Sequence, residues 1–187
     1  MAYAAWSVIF GEQPSAAKWN VLGSNDASFN DGTGIANLAL NTTAISNPYK
    51  FRGYRNSAQN TASSSYTVIL CDAEDYDTNN NFDIATNKGR YTAPVSGFYQ
   101  FNGAGGISAS SGLTAVEVAL FKNGVACSYG QISGNTASTG SVQSTVSDMV
   151  QLSAGDYMEL QIYCNATTAM AVGSAAAFFG GYLVSKT

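Results

Sequence analysis

An all-β sandwich or barrel is the fold class this sequence predicts. Charged residues make up only 11% of the chain, while Tyr, Phe, Ser, Thr, Asn, Gly and Ala dominate, a mixture that favours strands joined by polar turns. From Tyr49 onward, strand-like segments recur at short spacing, as in a sandwich or barrel. Turn residues separate them, most clearly Asn123-Gly124, which suits the two positive φ values of a tight hairpin. At 187 residues there is room for one substantial domain and a short extension.

Residues 1–47 form the extension and residues 48–187 the head. The extension holds both tryptophans and one brief helical signal. Pro14 and Ser15 open it, Ala-Ala-Lys-Trp-Asn-Val-Leu follows, and Gly23 closes it. Trp6, Phe10, Trp19 and Leu22, with Ile9 and Val21, are too few to build a core of their own. They need a partner surface, either the head itself or another protein, and they are the candidate anchor residues.

In the head, strands are expected over Lys50–Arg55, Tyr66–Leu70, Phe82–Ile84, Phe98–Ile107, Ala115–Lys122, Val125–Ile132, Ser141–Leu152, Tyr157–Cys164 and Ala176–Ser185. Gly89, Pro94 and Gly97 shape a corner that leads into the strand at Phe98. Gly103-Ala-Gly-Gly106 reads as close packing within that strand. Ala154-Gly155-Asp156 marks a second turn. Met158, Leu160, Ile162 and Cys164 alternate with Glu159, Gln161 and Tyr163, which places one apolar face inward on an outer sheet.

Two strands differ, because they carry bulk on both faces. Phe98 and Tyr99 point to opposite faces, and Phe178, Tyr182 and Val184 alternate with Phe179 and Leu183. A single sandwich core covers only one face, so the second needs cover from another copy or from the N-terminal segment. Phe98, Tyr99, Phe101, Phe178, Phe179 and Tyr182 are the candidate self-association residues.

Several function classes are disfavoured. A net charge of −4 gives no case for nucleic acid. No apolar run is long enough to cross a bilayer, and the N-terminus lacks the pattern of a secretory signal; work outside a cell would need another delivery route. The chain has no histidine, the usual general base and zinc ligand. Gly103–Gly106 lacks dinucleotide-fingerprint spacing and no phosphate loop is present, so no cofactor is expected. Cys71, Cys127 and Cys164 are odd in number and widely spaced, which favours buried free thiols over disulfides. Tyr49–Arg55 interleaves aromatics with cations, yet strand alternation between core and surface accounts for it. Asn41-Thr-Thr43 and Asn165-Ala-Thr167 fit glycosylation acceptors but are expected to be incidental without a secretory route.

One acidic loop invites a metal. Asp75, Asp77, Asn79, Asn81 and Asp83 recur at every second residue, so calcium is a candidate ligand. Asn80 and Thr86 stand where a helix-loop-helix calcium site requires glycine and glutamate. The competing reading is a solvated turn, and a pair of glycan-cleaving carboxylates is a further possibility there.

Phe82-Asp83, Thr86-Asn-Lys-Gly-Arg-Tyr-Thr-Ala-Pro-Val-Ser-Gly-Phe-Tyr-Gln-Phe101, Leu120-Phe-Lys-Asn-Gly124, Leu152-Ser-Ala-Gly-Asp156 and Phe178-Phe-Gly-Gly-Tyr-Leu-Val184 occur in that order. Together they make Lys50–Lys186 resemble the globular head of complement component C1q, within the tumour-necrosis-factor-like jelly rolls. The resemblance implies a ten-stranded jelly-roll sandwich, a homotrimer, and the strands at Phe98 and Phe178 lining the threefold axis. No collagen-like repeat is present, which departs from complement. Trp6–Gly23 and Asn25–Gly34 resemble leader segments of bacteriophage tail-fibre and related virion proteins.

These readings lead to a non-enzymatic virion protein, a tail or head fibre or a capsid decoration. Its expected partners are itself, other virion proteins through residues 1–47, and a glycan or protein on the host surface, without nucleic acid or membrane insertion. The alternative is a bacterial surface or secreted glycan-binding lectin, and third a carboxylate-based glycan hydrolase.

Overall fold

The computed structural model describes residues 47–133 and 140–187. Trp6, Phe10, Trp19, Leu22 and the helix expected after Pro14 lie outside them. The chain divides between Pro48 and Tyr49. The described residues form strands β1 (Lys50–Tyr54), β2 (Ser65–Val68), β3 (Ala73–Asp77), β4 (Phe82–Asp83), β5 (Arg90–Thr92), β6 (Gly97–Ser108), β7 (Ala115–Lys122), β8 (Val125–Ser133), β9 (Ser141–Leu152), β10 (Tyr157–Cys164) and β11 (Phe178–Lys186).

Ten of these strands form two antiparallel sheets of five, ordered β3-β1-β11-β6-β9 and β4-β5-β10-β7-β8. β2 lies outside both ladders and follows β10, with the Ile69 amide donating to the Leu160 carbonyl at 2.9 Å. The alternation read from β10 holds: Met158, Leu160, Ile162 and Cys164 are buried between the sheets. They meet Val116, Val118 and Leu120 from β7 and Tyr99, Phe101 and Phe179 from the opposite sheet.

An aromatic stack fills one end of this core. Phe51 lies 4.4 Å from Tyr91 and 4.7 Å from Phe82, centroid to centroid, and Phe101 stacks on Phe179 at 5.7 Å. Such pairs contribute about 0.5–1.5 kcal/mol each beyond the area they bury. The stack ties together strands distant in sequence, because its rings come from β1, β4, β5, β6 and β11.

Two strands were not anticipated. β3 reads as a polar loop because of its carboxylates, but it pairs with β1 as the sheet edge, where Asp75 forms an ion pair with Arg52. β5 is three residues long and reads as part of a turn; Tyr91 inside it is buried in the core. The turns behave as their residues require. Asn123 and Gly124 have φ of 50° and 81°, Gly89 of 88° and Gly155 of 90°. Gly97, expected to supply a turn angle, does so by size instead: a Cβ there would come within 2.7 Å of Leu183 Cδ1.

Candidate functional site

The acidic loop between β3 and β5 is the first candidate, and its oxygens are already committed. Asp77 accepts from the amides of Asn79 at 3.2 Å and Phe82 at 2.7 Å. Asn79 Nδ2 donates to Asn81 Oδ1 at 2.6 Å. Asp83 accepts from the amides of Ala85, Thr86 and Asn87, each at 2.8 Å. Asp75 faces Arg52. The candidate calcium residues Asp75, Asp77, Asn79, Asn81 and Asp83 thus lie along one loop whose Asp77 and Asp83 carboxylates accept from its own backbone donors. Among the described residues no group of three acidic or thiol side chains converges to hold a metal.

These bonds, led by the Asn87 amide, pull the Asp83 carboxyl down to about 2. A general acid for glycan cleavage needs the opposite shift. A cavity of about 380 Å³ opens beside this loop, walled by Asn80, Asn81, Phe82, Asp83 and Thr92.

The second candidate is the outer face of the β3-β1-β11-β6-β9 sheet, and the six aromatics assigned to self-association divide across it. Tyr99, Phe101 and Phe179 are fully buried within the sandwich of the single chain; Tyr99 Oη also donates to the Val95 carbonyl at 2.7 Å. Phe98 and Tyr182 point the other way and are 38% and 48% exposed, while Phe178 is half-buried under the Arg52 guanidinium, 4.6 Å from its ring centroid. Alternation places these two sets on opposite faces.

The sheet register adds residues that the sequence reading passed over. Lys50, Tyr182, Gln100 and Met149 form one cross-strand row over β1, β11, β6 and β9. Met149 is 54% exposed, and Val184 is exposed beside Phe98. Met149 lies in a strand whose outward residues are otherwise polar, so only the pairing with β6 reveals that it extends an apolar patch. Asp148, one residue away, turns to the opposite side of the strand.

The remaining motifs are structural. Phe51 is buried and Arg52 lies outward, as the alternation in Tyr49–Arg55 requires. Arg55, just beyond β1, is fully buried, with Nη1 donating to Gln59 Oε1 at 3.0 Å and Nη2 to the Ser57 carbonyl. Burial lowers its pKa against the pull of Asp72. Cys71 and Cys164 are buried free thiols, and burial pushes Cys71 up to about 12. Cys127 departs from that expectation: it is exposed on β8. Asn165 accepts from the Thr114 amide at 2.9 Å and donates to the Gly112 carbonyl at 2.9 Å, clamping the turn before β7.

Residues 53–184 match the C1q domain. Among solved structures, the chain is similar to the globular domain of zebrafish complement 1qA, at 16% identity and a TM-score of 0.55, covering 74% of this chain and 99% of that one. The Eiger tumour necrosis factor of S. frugiperda is similar at 10% identity and a TM-score of 0.58, covering 74% and 94%. Murine APRIL is similar at 9% identity and a TM-score of 0.55, covering 72% and 98%. No curated protein sequence matches the chain.

Proposed function

The chain belongs to the C1q domain family, and on that premise we propose that it is a homotrimeric, non-enzymatic head of a phage virion appendage or capsid decoration. The observation that carries the assembly is the outer face of the β3-β1-β11-β6-β9 sheet. Phe98, Tyr182, Met149 and Val184 stand exposed on this face of an isolated chain, and clustered exposed apolar side chains mark association surfaces. A threefold arrangement with this face turned to the axis removes it from water. In that arrangement Phe98 and Tyr182 are interface residues, and Tyr99, Phe101 and Phe179 support them from beneath.

The virion placement rests on the likeness of Trp6–Gly34 to phage fibre leaders. In this reading Trp6, Phe10, Trp19 and Leu22 dock on another virion protein and the head projects, either to contact the host surface or to brace the shell. Purified particles and their genomic neighbours test it directly. Mass spectrometry that finds the chain in particles, with loss on deletion of residues 2–40, is the expected result; a chain found only on a cell envelope would overturn the virion placement.

A further inference from the structure

The other sheet, β4-β5-β10-β7-β8, turns a second face to solvent, and its side chains are of a different kind. Three cross-strand rows run over β10, β7 and β8. One is Tyr163, Glu117 and Gln131; the next is Gln161, Ala119 and Tyr129. The third holds Glu159, Phe121 and Ala126. Tyr66 from β2 leans over them, 5.0 Å from Phe121 and 5.6 Å from Tyr163 between ring centroids. Tyr66 is 38% exposed and Tyr129 65%, while Ala119 on β7 is fully buried beneath its neighbours.

The polar groups on this face are planar and largely uncommitted. Glu159 is held by Arg90 at 2.8 Å, and Arg90 is further stacked 3.9 Å from the centroid of the Tyr157 ring. That ion pair neutralises the nearest cation, whose side chain stays partly exposed. Glu117 has no ion pair or side-chain hydrogen bond among the described residues, and burial raises its pKa. Gln161 makes one long contact, 3.4 Å, to Glu159. Tyrosine faces set between a carboxylate and two primary amides match a ligand with apolar C–H faces and many hydroxyl groups. A protein-binding surface would instead concentrate apolar residues at its centre and leave out the acid. An anionic ligand would meet an unpaired carboxylate with no free guanidinium beside it.

We propose that this face is a binding platform for a neutral saccharide chain. Sugar rings stack on Tyr66, Tyr129 and Tyr163, and their hydroxyls donate to Glu117 and exchange hydrogen bonds with Gln131 and Gln161. The platform is shallow, so affinity per head is weak and multiplies when several heads act together. It does not depend on the virion reading, since binding is measured on the isolated protein.

The test uses the full 187-residue chain titrated with cellopentaose, chitopentaose, maltopentaose and mannopentaose, with a sulfated heparin pentasaccharide as the acidic probe. The expected result is binding of at least one neutral probe, weakened about tenfold or more by Glu117→Ala and by Tyr129→Ala. Melting temperature and sedimentation are read for both variants, and Gln161→Ala replaces either one that fails to fold. No binding of any neutral probe at millimolar concentration, binding that survives the substitutions, or preference for the sulfated probe would overturn the proposal.

Discussion

Asp83 illustrates how a carboxylate that looks available in sequence can be fully occupied. Three consecutive backbone amides point at it, and these donors stabilise its charged form, lowering its pKa from 3.8 to about 2. Asp156 is lowered similarly, first by the Asn123 side chain and then by the Ser153 backbone. In both cases the folded pKa lies below the unfolded one. Their stabilisation is therefore present above about pH 4 and is lost as pH falls toward 2. Thermal melts should show a falling midpoint across that window, and Asp83→Asn should flatten part of the fall. Millimolar calcium should leave the wild-type melting temperature unchanged if these internal hydrogen bonds outcompete a cation; a clear rise would support the metal reading. The recurrence of Asp and Asn at alternate positions is plain in the sequence, but which amides curl onto them depends on the turn.

Strands and turns were the most legible elements, and where they failed the reason is local. The pattern of strand-like runs between turn signals located β6, β7, β9, β10 and β11. It missed β3, whose acidic residues are tolerated because that strand is an edge and Arg52 neutralises one of them. It missed β5 because three residues are too few to show a period. The glycines of β6 are packing elements. A Cβ at Gly103 would come within 2.6 Å of both Leu160 methyl groups across the sandwich. Gly103→Ala should therefore cost about 1–3 kcal/mol, the range for overfilling a packed core, read as a lower denaturation midpoint with an unchanged slope. Gly130 is a stricter case, since a Cβ there would run into the Thr145 carbonyl where β8 meets β9. Gly130→Ala should open that junction, seen as faster amide exchange in β8 and β9 than in β10.

At the scale of the whole molecule, the prediction concerns assembly. If the apolar face of the β3-β1-β11-β6-β9 sheet lines a threefold axis, the wild-type chain sediments as a trimer. Tyr182→Asp then places three carboxylates near the axis and shifts the protein to monomers, while the β-sheet signal in circular dichroism remains. A monomeric wild-type chain would refute the assembly. Fold class, the positions of most strands and the presence of two-faced strands were set by composition, alternation and turn residues, because those signals act over a few neighbouring residues. The tertiary structure alone decided which side of each two-faced strand is core. Tyr99 and Phe101 meet Tyr91, and Phe179 meets Phe82, across the sandwich, while Phe98, Tyr182 and Met149 become neighbours only through the pairing of β11, β6 and β9. Alternation separates two faces of a strand, but which of them meets the opposing sheet and which patches join across strands are settled by long-range pairing and packing.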